Sequence, residues 1–112
     1  MADLRKLALS LPDVIEKETW GHPTFRVRNK MFASMAADAT SGTVKSTMDE
    51  QQALTQSEPD TFFVPAYVGV HGWIGIRLDS VDPEELDELV TEAWRMTATK
   101  RAVRAFDEAH PI

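Results

Sequence analysis

The sequence predicts a single α+β domain over residues 1–112, in which an antiparallel sheet of about five strands carries helices mainly on one face. Alternating polar and apolar residues mark strands that follow one another directly in the first half of the chain. Segments of helical spacing, each with a capping residue at its start, precede and follow those strands. The predicted two-layer order is helix, three strands, helix, two strands, helix.

Residue spacing defines the first helix and the first strand. Apolar residues recur at helical spacing over residues 3–11, and Asp3 is placed to cap that helix. Residues 24–28 alternate instead, so Phe25 and Val27 share one face of a strand and the polar residues share the other.

The chain then reverses twice to give two more strands. Asn29-Lys30 is predicted to form the first turn, because Asn tolerates positive φ. Residues 31–36 return as a mostly apolar strand, and a turn at residues 40–42 leads to a short third strand at residues 43–46.

A short helix and two further strands follow. Thr47 and Glu50 have the spacing of a capping box, which opens a polar helix that ends near residue 54. Residues 62–70 are apolar but contain a proline, so they are predicted to form an edge or irregular strand. Residues 73–78 form the clearer strand.

The last helix has the strongest start signal in the chain. Asp82 is placed as the cap, Pro83 as the first helical residue and Glu85 as the residue that closes a capping box. The apolar residues that follow recur at helical spacing: Leu86, Leu89, Val90, Ala93 and Trp94. We expect the helix to break near residues 97–99 and to continue through Phe106.

Composition and charge exclude several classes of protein. The chain has no cysteine, which rules out a disulfide framework, a thiol nucleophile and a thiolate metal site. No apolar run approaches the ~20 residues of a membrane span, and the N-terminus lacks a signal-peptide layout. We therefore expect a cytoplasmic protein without membrane contact. The net charge of −6 argues against a broad, non-specific surface for polyanions.

Charge is distributed unevenly near the C-terminus. Residues 79–92 contain seven acids and no base, whereas residues 95–104 contain four bases and no acid. These bases could bind the phosphates of a nucleic-acid backbone, but cations are also favourable near the C-terminal end of a long helix. The acid-to-base order along the helix favours the second interpretation.

Several short motifs, in this order and spacing, resemble those of the MmcQ/YjbR family of small bacterial proteins. They are Leu11-Pro12, Trp20-Gly21-His22-Pro23-Thr24-Phe25-Arg26-Val27, Lys30-Met31-Phe32-Ala33, Val44-Lys45, Gly72-Trp73-Ile74 and Ala93-Trp94-Arg95. The resemblance implies a compact CyaY-like α+β fold, often described as a "double-wing" DNA-binding motif. Many members carry Ser-Tyr and then Leu-Pro-Lys where this chain has Ala93-Trp94 and Ala98-Thr99-Lys100-Arg101.

Strand alternation supplies the candidate binding site. If the apolar residues of the strands face the core, then Arg26, Arg28, Lys45, Trp73 and Arg77 share the opposite face. Arginine and lysine contact phosphates, and tryptophan can stack on a base. These five residues are therefore candidates for binding a nucleic acid or another anion. The alternative is a solvated sheet face whose bases pair with neighbouring acids.

The sequence contains no recognised catalytic or metal-binding pattern. The three histidines are isolated, no serine lies in a nucleophile-elbow motif, and no cofactor motif is present. Trp20, Trp94 and Phe106 are expected in the core. The predicted function is thus a non-enzymatic, DNA-binding or nucleic-acid-associated module. The alternative is a module that binds a small anion or a partner protein without any role in nucleic-acid binding.

Overall fold

The structure is a computed structural model that describes residues 2–110. Within these residues the fold consists of four α-helices, six strands and a short 3₁₀ helix. The helices are α1 (Leu4–Leu9), α2 (Met48–Ser57), α3 (Pro83–Thr97) and α4 (Lys100–Ala109), with the 3₁₀ helix at Val68–His71. The strands are β1 (Ile15–Thr19), β2 (His22–Val27), β3 (Lys30–Met35), β4 (Ser41–Val44), β5 (Phe62–Phe63) and β6 (Ile74–Arg77). None of these helices is both long and apolar enough to cross a membrane.

The six strands form one antiparallel sheet in the order β1-β2-β3-β4-β6-β5. The predicted α+β class is confirmed, but the sheet has one strand more than expected. The additional strand, β1, consists mostly of charged and polar residues at the sheet edge, so it lacks the apolar alternation of a half-buried strand. The third predicted strand begins at Ser41 rather than Thr43.

Helices α1 and α3 pack on one face of the sheet, against β3. A Cβ atom at Gly42 would lie 2.6 Å from Cδ1 of Leu4, which places α1 directly over β4. Arg5 of α1 pairs with Glu16 of β1, with 2.9 Å between Nε and Oε1. Six apolar residues of the predicted strands are buried, as the alternation requires: Phe25, Val27, Val44, Ile74, Ile76 and Leu78.

The helix ends follow the capping residues of the sequence. Side chains of Asp3, Thr47 and Asp82 accept hydrogen bonds from backbone N–H groups in the first turns of α1, α2 and α3. The break expected near residues 97–99 is present: α3 ends at Thr97, and Thr99 caps α4.

The predicted strand over residues 62–70 is only two residues long. After β5 the chain enters a loop with a sharp turn at Tyr67 (φ 64°, ψ −61°), where the N–H of Val68 donates to the carbonyl oxygen of Ala66 at 2.7 Å. The buried side chain of Gln51 fixes this loop to α2, because its Nε2 donates to the carbonyl oxygens of both Gly69 (2.8 Å) and Trp73 (2.6 Å).

Candidate functional site

The sheet face opposite α1 and α3, hereafter the open face, carries a row of mostly polar residues across all six strands. Strand register aligns this row as Lys17, Thr24, Ser34, Thr43, Gly75 and Phe63. Side-chain alternation places the row on the open face, because the sequence neighbours of two row residues face α1. A Cβ at Gly42, next to Thr43, would meet Leu4 of α1, and Glu16, next to Lys17, pairs with Arg5 of the same helix. The open face is therefore rich in hydroxyl groups.

Arg26 lies across the β1–β2 end of the open face. Its Nε donates to Oγ1 of Thr24 and its Nη2 donates to Oγ1 of Thr19, both at 3.3 Å. The hydroxyl of Thr24, which is fully buried, donates in turn to the carbonyl oxygen of Lys17 at 2.6 Å. The guanidinium is thus held by two threonines, and the network leaves some of its N–H donors unused.

Arg77 occupies the β6–β5 end of the open face. Its guanidinium lies over the ring of Phe63, 4.9 Å from the centroid, and its Nη1 donates to the carbonyl oxygen of Pro59 at 3.4 Å. Gly75 makes this arrangement possible, because a Cβ at that position would overlap the Phe63 ring. Between the two arginines, the hydroxyls of Ser34 and Thr43 are hydrogen-bonded to each other at 2.5 Å.

The strand residues of the open face carry positive charge without compensating acids. Its bases are Lys17, Arg26 and Arg77, whereas the two acids found in the described strands, Glu16 and Glu18, alternate with Lys17 and face the other way. No carboxylate of residues 2–110 lies within the 4.0 Å ion-pair distance of the Arg26 or Arg77 guanidinium. Both arginines are therefore available to an anion.

Arg28 does not lie on the open face with Arg26 and Arg77. It forms the β2–β3 turn with Asn29, both at positive φ (55° and 61°), so strand alternation does not apply to it. Its Nη1 lies 3.5 Å from the carbonyl oxygen of Thr97, at the C-terminal end of α3. The helix dipole favours a cation at this place, which accounts for its direction.

Lys45 and Trp73 also depart from the predicted arrangement. Lys45 follows the last residue of β4 and lines a cleft of about 730 Å³ between α2 and α3, together with acids that include Glu50 and Glu88. Trp73 is only 8% exposed, so its ring is not available to stack on a base. Gln51 holds the start of β6 and the loop before it against α2 through the carbonyl oxygens of Trp73 and Gly69.

Two residues of the open-face region were not expected from the sequence. Lys17 was overlooked because β1 was not recognised as a strand. Trp20, expected in the core, is 95% exposed at the tip of the β1–β2 hairpin. The signal for Trp20 was the Trp-Gly pair itself, which forms a two-residue hairpin turn once β1 is recognised.

The other two aromatic residues expected in the core differ in outcome. Trp94 is buried as predicted, and its Nε1 donates to the carbonyl oxygen of Pro12 at 3.0 Å, whereas Phe106 is only half-buried.

The helix layer contains a second charged region, the cleft between α2 and α3. Burial raises the pKa of Glu85 there, and a hydrogen bond with Glu58 and the nearby charges of Glu58, Asp82 and Glu88 raise it further. Residues 2–110 contain no group of three or more His, Asp or Glu side chains arranged to hold a metal ion.

Comparison with known proteins identifies the family. Two uncharacterized proteins, one from Mycobacterium tuberculosis and one from Mycobacterium bovis, are each 37% identical to this chain over 54 residues. That match spans 48% of this chain and 42% of each relative. The crystal structure of Deinococcus radiodurans protein DR2400, which has a DUF419 domain, has a TM-score of 0.75 at 23% identity, covering 84% of this chain and 75% of that chain, and so supports the fold. The family model described as YjbR matches residues 9–96, most of the chain, and the protein therefore belongs to the YjbR family.

Proposed function

We propose that this domain binds nucleic acid, DNA in particular, through its open face, without catalysing a reaction. The observation that carries the proposal is the charge of that face: Lys17, Arg26 and Arg77 lie on its strands, and the strand acids face the other way. Lysine, arginine and hydroxyl side chains supply most contacts to phosphate and sugar in protein–DNA complexes. The open face offers lysine, arginine and the half-exposed hydroxyls of Thr19 and Thr43, whereas those of Thr24 and Ser34 are buried.

The spacing of the two arginines favours an extended ligand over a small anion. Arg26 and Arg77 lie on strands β2 and β6, which are three strand spacings, or about 14 Å, apart in the sheet. The register also places the two residues on opposite sides of the row through Thr24 and Gly75. A small anion needs donors that converge in one pocket. The clefts described in the structure lie instead among the helices, between α2 and α3 and between α3 and α4. The alternative of a small-anion site therefore has less support than a polyanion that crosses the sheet.

The salt dependence of binding tests this proposal. We expect a fluorescently labelled oligonucleotide to bind with an affinity that falls as salt rises, with a slope of about −2 to −3 in log K against log salt, because three cations replace bound counterions. Titrations between about 50 and 200 mM salt would measure that slope. Absence of binding below ~100 μM at low salt, for both single strands and duplexes, would show the proposal to be wrong.

Substitution of the two arginines localises the interface. Arg26→Ala and Arg77→Ala should each weaken binding by ~1–3 kcal/mol, the worth of a charge-assisted contact. Arg77 is exposed, so the free energy of unfolding should change by no more than about 0.5 kcal/mol in Arg77→Ala. Arg26 is half-buried and loses its hydrogen bonds to Thr24 and Thr19, so Arg26→Ala should lower it by about 0.5–1.5 kcal/mol. Fluorescence titration and urea unfolding measure the two effects.

Arg101→Ala is the matched control, because Arg101 is an exposed arginine on α4, away from the open face. It should bind nearly as well as the unsubstituted protein. If Arg101→Ala weakened binding while Arg26→Ala and Arg77→Ala did not, the basic helix α4 and not the sheet would be the interface.

A further inference from the structure

Trp20 has a backbone conformation that is unfavourable for a bulky aromatic residue. Trp20 and Gly21 form a two-residue turn between the paired residues Thr19 and His22, and both have positive φ (50° and 83°). This is the conformation of a type I′ turn, for which Asn-Gly is the preferred sequence and which a bulky aromatic residue adopts at a cost. The ring is 95% exposed, so burial of its apolar surface does not offset that cost.

The neighbourhood of Trp20 connects it to the open face. The preceding residue, Thr19, accepts the hydrogen bond from Nη2 of Arg26 at 3.3 Å. The tip of the hairpin and the Arg26 guanidinium therefore lie at the same end of the sheet. A ligand phosphate on Arg26 would bring the adjoining bases to the edge from which Trp20 extends.

We infer that Trp20 is a base-stacking residue and that the nucleic acid bound is single-stranded. This inference rests on the proposed function. Stacking of bases on aromatic side chains beside a positively charged surface is the usual way in which proteins hold single strands, because each unpaired base exposes a flat face. In an intact duplex those faces are covered by neighbouring base pairs, and an exposed ring at a hairpin tip would contact only edges and backbone. An exposed ring on the residue that follows Thr19, the hydrogen-bond partner of Arg26, thus fits a single strand.

The tryptophan emission of the protein reports on this contact. Trp73 is 8% exposed and Trp94 is fully buried, so quenching by an added oligonucleotide arises mainly from Trp20. An unlabelled thymidine oligomer of about 15 nucleotides, within the usual site size of small single-strand binders, should quench the emission. The quenching should be absent in Trp20→Asn, whose other two tryptophans remain.

Trp20→Asn separates binding from folding because the two should change in opposite directions. Asn-Gly is the preferred pair for this turn, so the midpoint of thermal unfolding should stay the same or rise. Affinity for the thymidine oligomer should fall by about 5- to 150-fold, the contribution of one stacked base. Trp20→Phe should retain part of the affinity, and binding of a duplex of the same length should be unchanged in Trp20→Asn.

Each contrary result overturns the inference and identifies what failed. A lower unfolding midpoint in Trp20→Asn would show that the ring stabilises the fold. Unchanged affinity of Trp20→Asn, with affinity that still falls in Arg26→Ala, would leave the proposed function intact and remove Trp20 from it. An equal loss for single strand and duplex would mean that Trp20 contacts the backbone or wedges into a duplex. Absence of any binding by the unsubstituted protein would reject the proposed function itself.

Discussion

At the scale of single residues, Glu85 shows how one carboxyl group makes stability depend on pH. Its pKa is raised in the folded protein, first by burial and then by Glu58 and neighbouring acids. Because the pKa of Glu85 is higher in the folded state than in the unfolded state, the folded protein binds more protons than the unfolded protein at pH values between the two pKa values. Stability therefore falls as pH rises through this range, and ionised Glu85 destabilises the protein at neutral pH.

We expect Glu85→Gln to raise the midpoint of thermal unfolding at pH 7, because the amide removes this penalty. Near pH 4 and below, where unfolded carboxyl groups are also protonated, the gain should shrink. Glu84→Gln is the control, since Glu84 lies in the same first turn of α3 and both substitutions lose the same helix-dipole contribution. Calorimetry at the two pH values measures the difference between the variants, and a difference independent of pH would contradict the explanation.

The same scale shows which candidate residues could be placed on the open face from the sequence. Alternation was sufficient for Arg26 and Arg77, because both lie within strands whose apolar neighbours are buried. It failed for Arg28, because residues in two-residue turns take positive φ and leave the alternation of the strands. The expectation that Trp20 lies in the core was wrong for the same kind of reason, since Trp20 also lies in a two-residue turn. Alternation did not anticipate the burial of Trp73, whose carbonyl oxygen accepts a hydrogen bond from Gln51, a residue distant in sequence.

At the scale of elements, the contact between α1 and β4 depends on the absence of a side chain at Gly42. Gly42→Ala would bring a Cβ to 2.6 Å from Leu4 Cδ1 and 2.9 Å from the carbonyl oxygen of Ser34. The overpacking should lower the free energy of unfolding by about 1–3 kcal/mol. Urea unfolding measures this loss. The adjacent Ser41→Ala, at a half-exposed position, should stay within about 0.5 kcal/mol, and equal midpoints for the two variants would argue against the clash.

Helices and strands could be predicted where the residues that determine them lie within a few positions of one another in the sequence. Caps at Asp3, Thr47 and Asp82 placed three helix starts, because a cap and its partners lie within a few residues. β1 was missed because an edge strand of charged residues has no buried alternation. Residues 62–70 were assigned too long a strand, because the sharp turn at Tyr67 has no recognisable sequence signal.

At the scale of the whole molecule, α4 is joined to the rest of the domain by few contacts. None of its residues is fully buried, and it lies outside the residues 9–96 that match the family. Phe106 packs against Trp94 with ring centroids 5.1 Å apart, and Arg95 pairs with Asp107 at 2.5 Å, a contact that raises the pKa of Arg95. Helix α4 should therefore open separately from the sheet.

Phe106→Ala tests this separation. Loss of the ring should reduce the local stability of α4 by roughly 1–3 kcal/mol, less than for a fully buried phenylalanine. Native-state hydrogen exchange should show faster exchange of amides in α4 and unchanged exchange in β2 and β3. Arg101→Ala, on the exposed side of the same helix, should leave both unchanged. Equal acceleration throughout the domain would show that α4 unfolds only with the sheet.

The two outermost strands, β1 and β5, also determine how the sheet behaves toward other chains. The edge of a sheet offers unpaired N–H and C=O groups, and long apolar edges invite aggregation by strand addition. β5 is only two residues long, and β1 carries Glu16, Lys17 and Glu18 in succession. A second chain that paired with β1 would have to bring its own strand against this row of charges. The charged composition of β1, which prevented its recognition as a strand from the sequence, thus also protects the sheet from edge-to-edge aggregation.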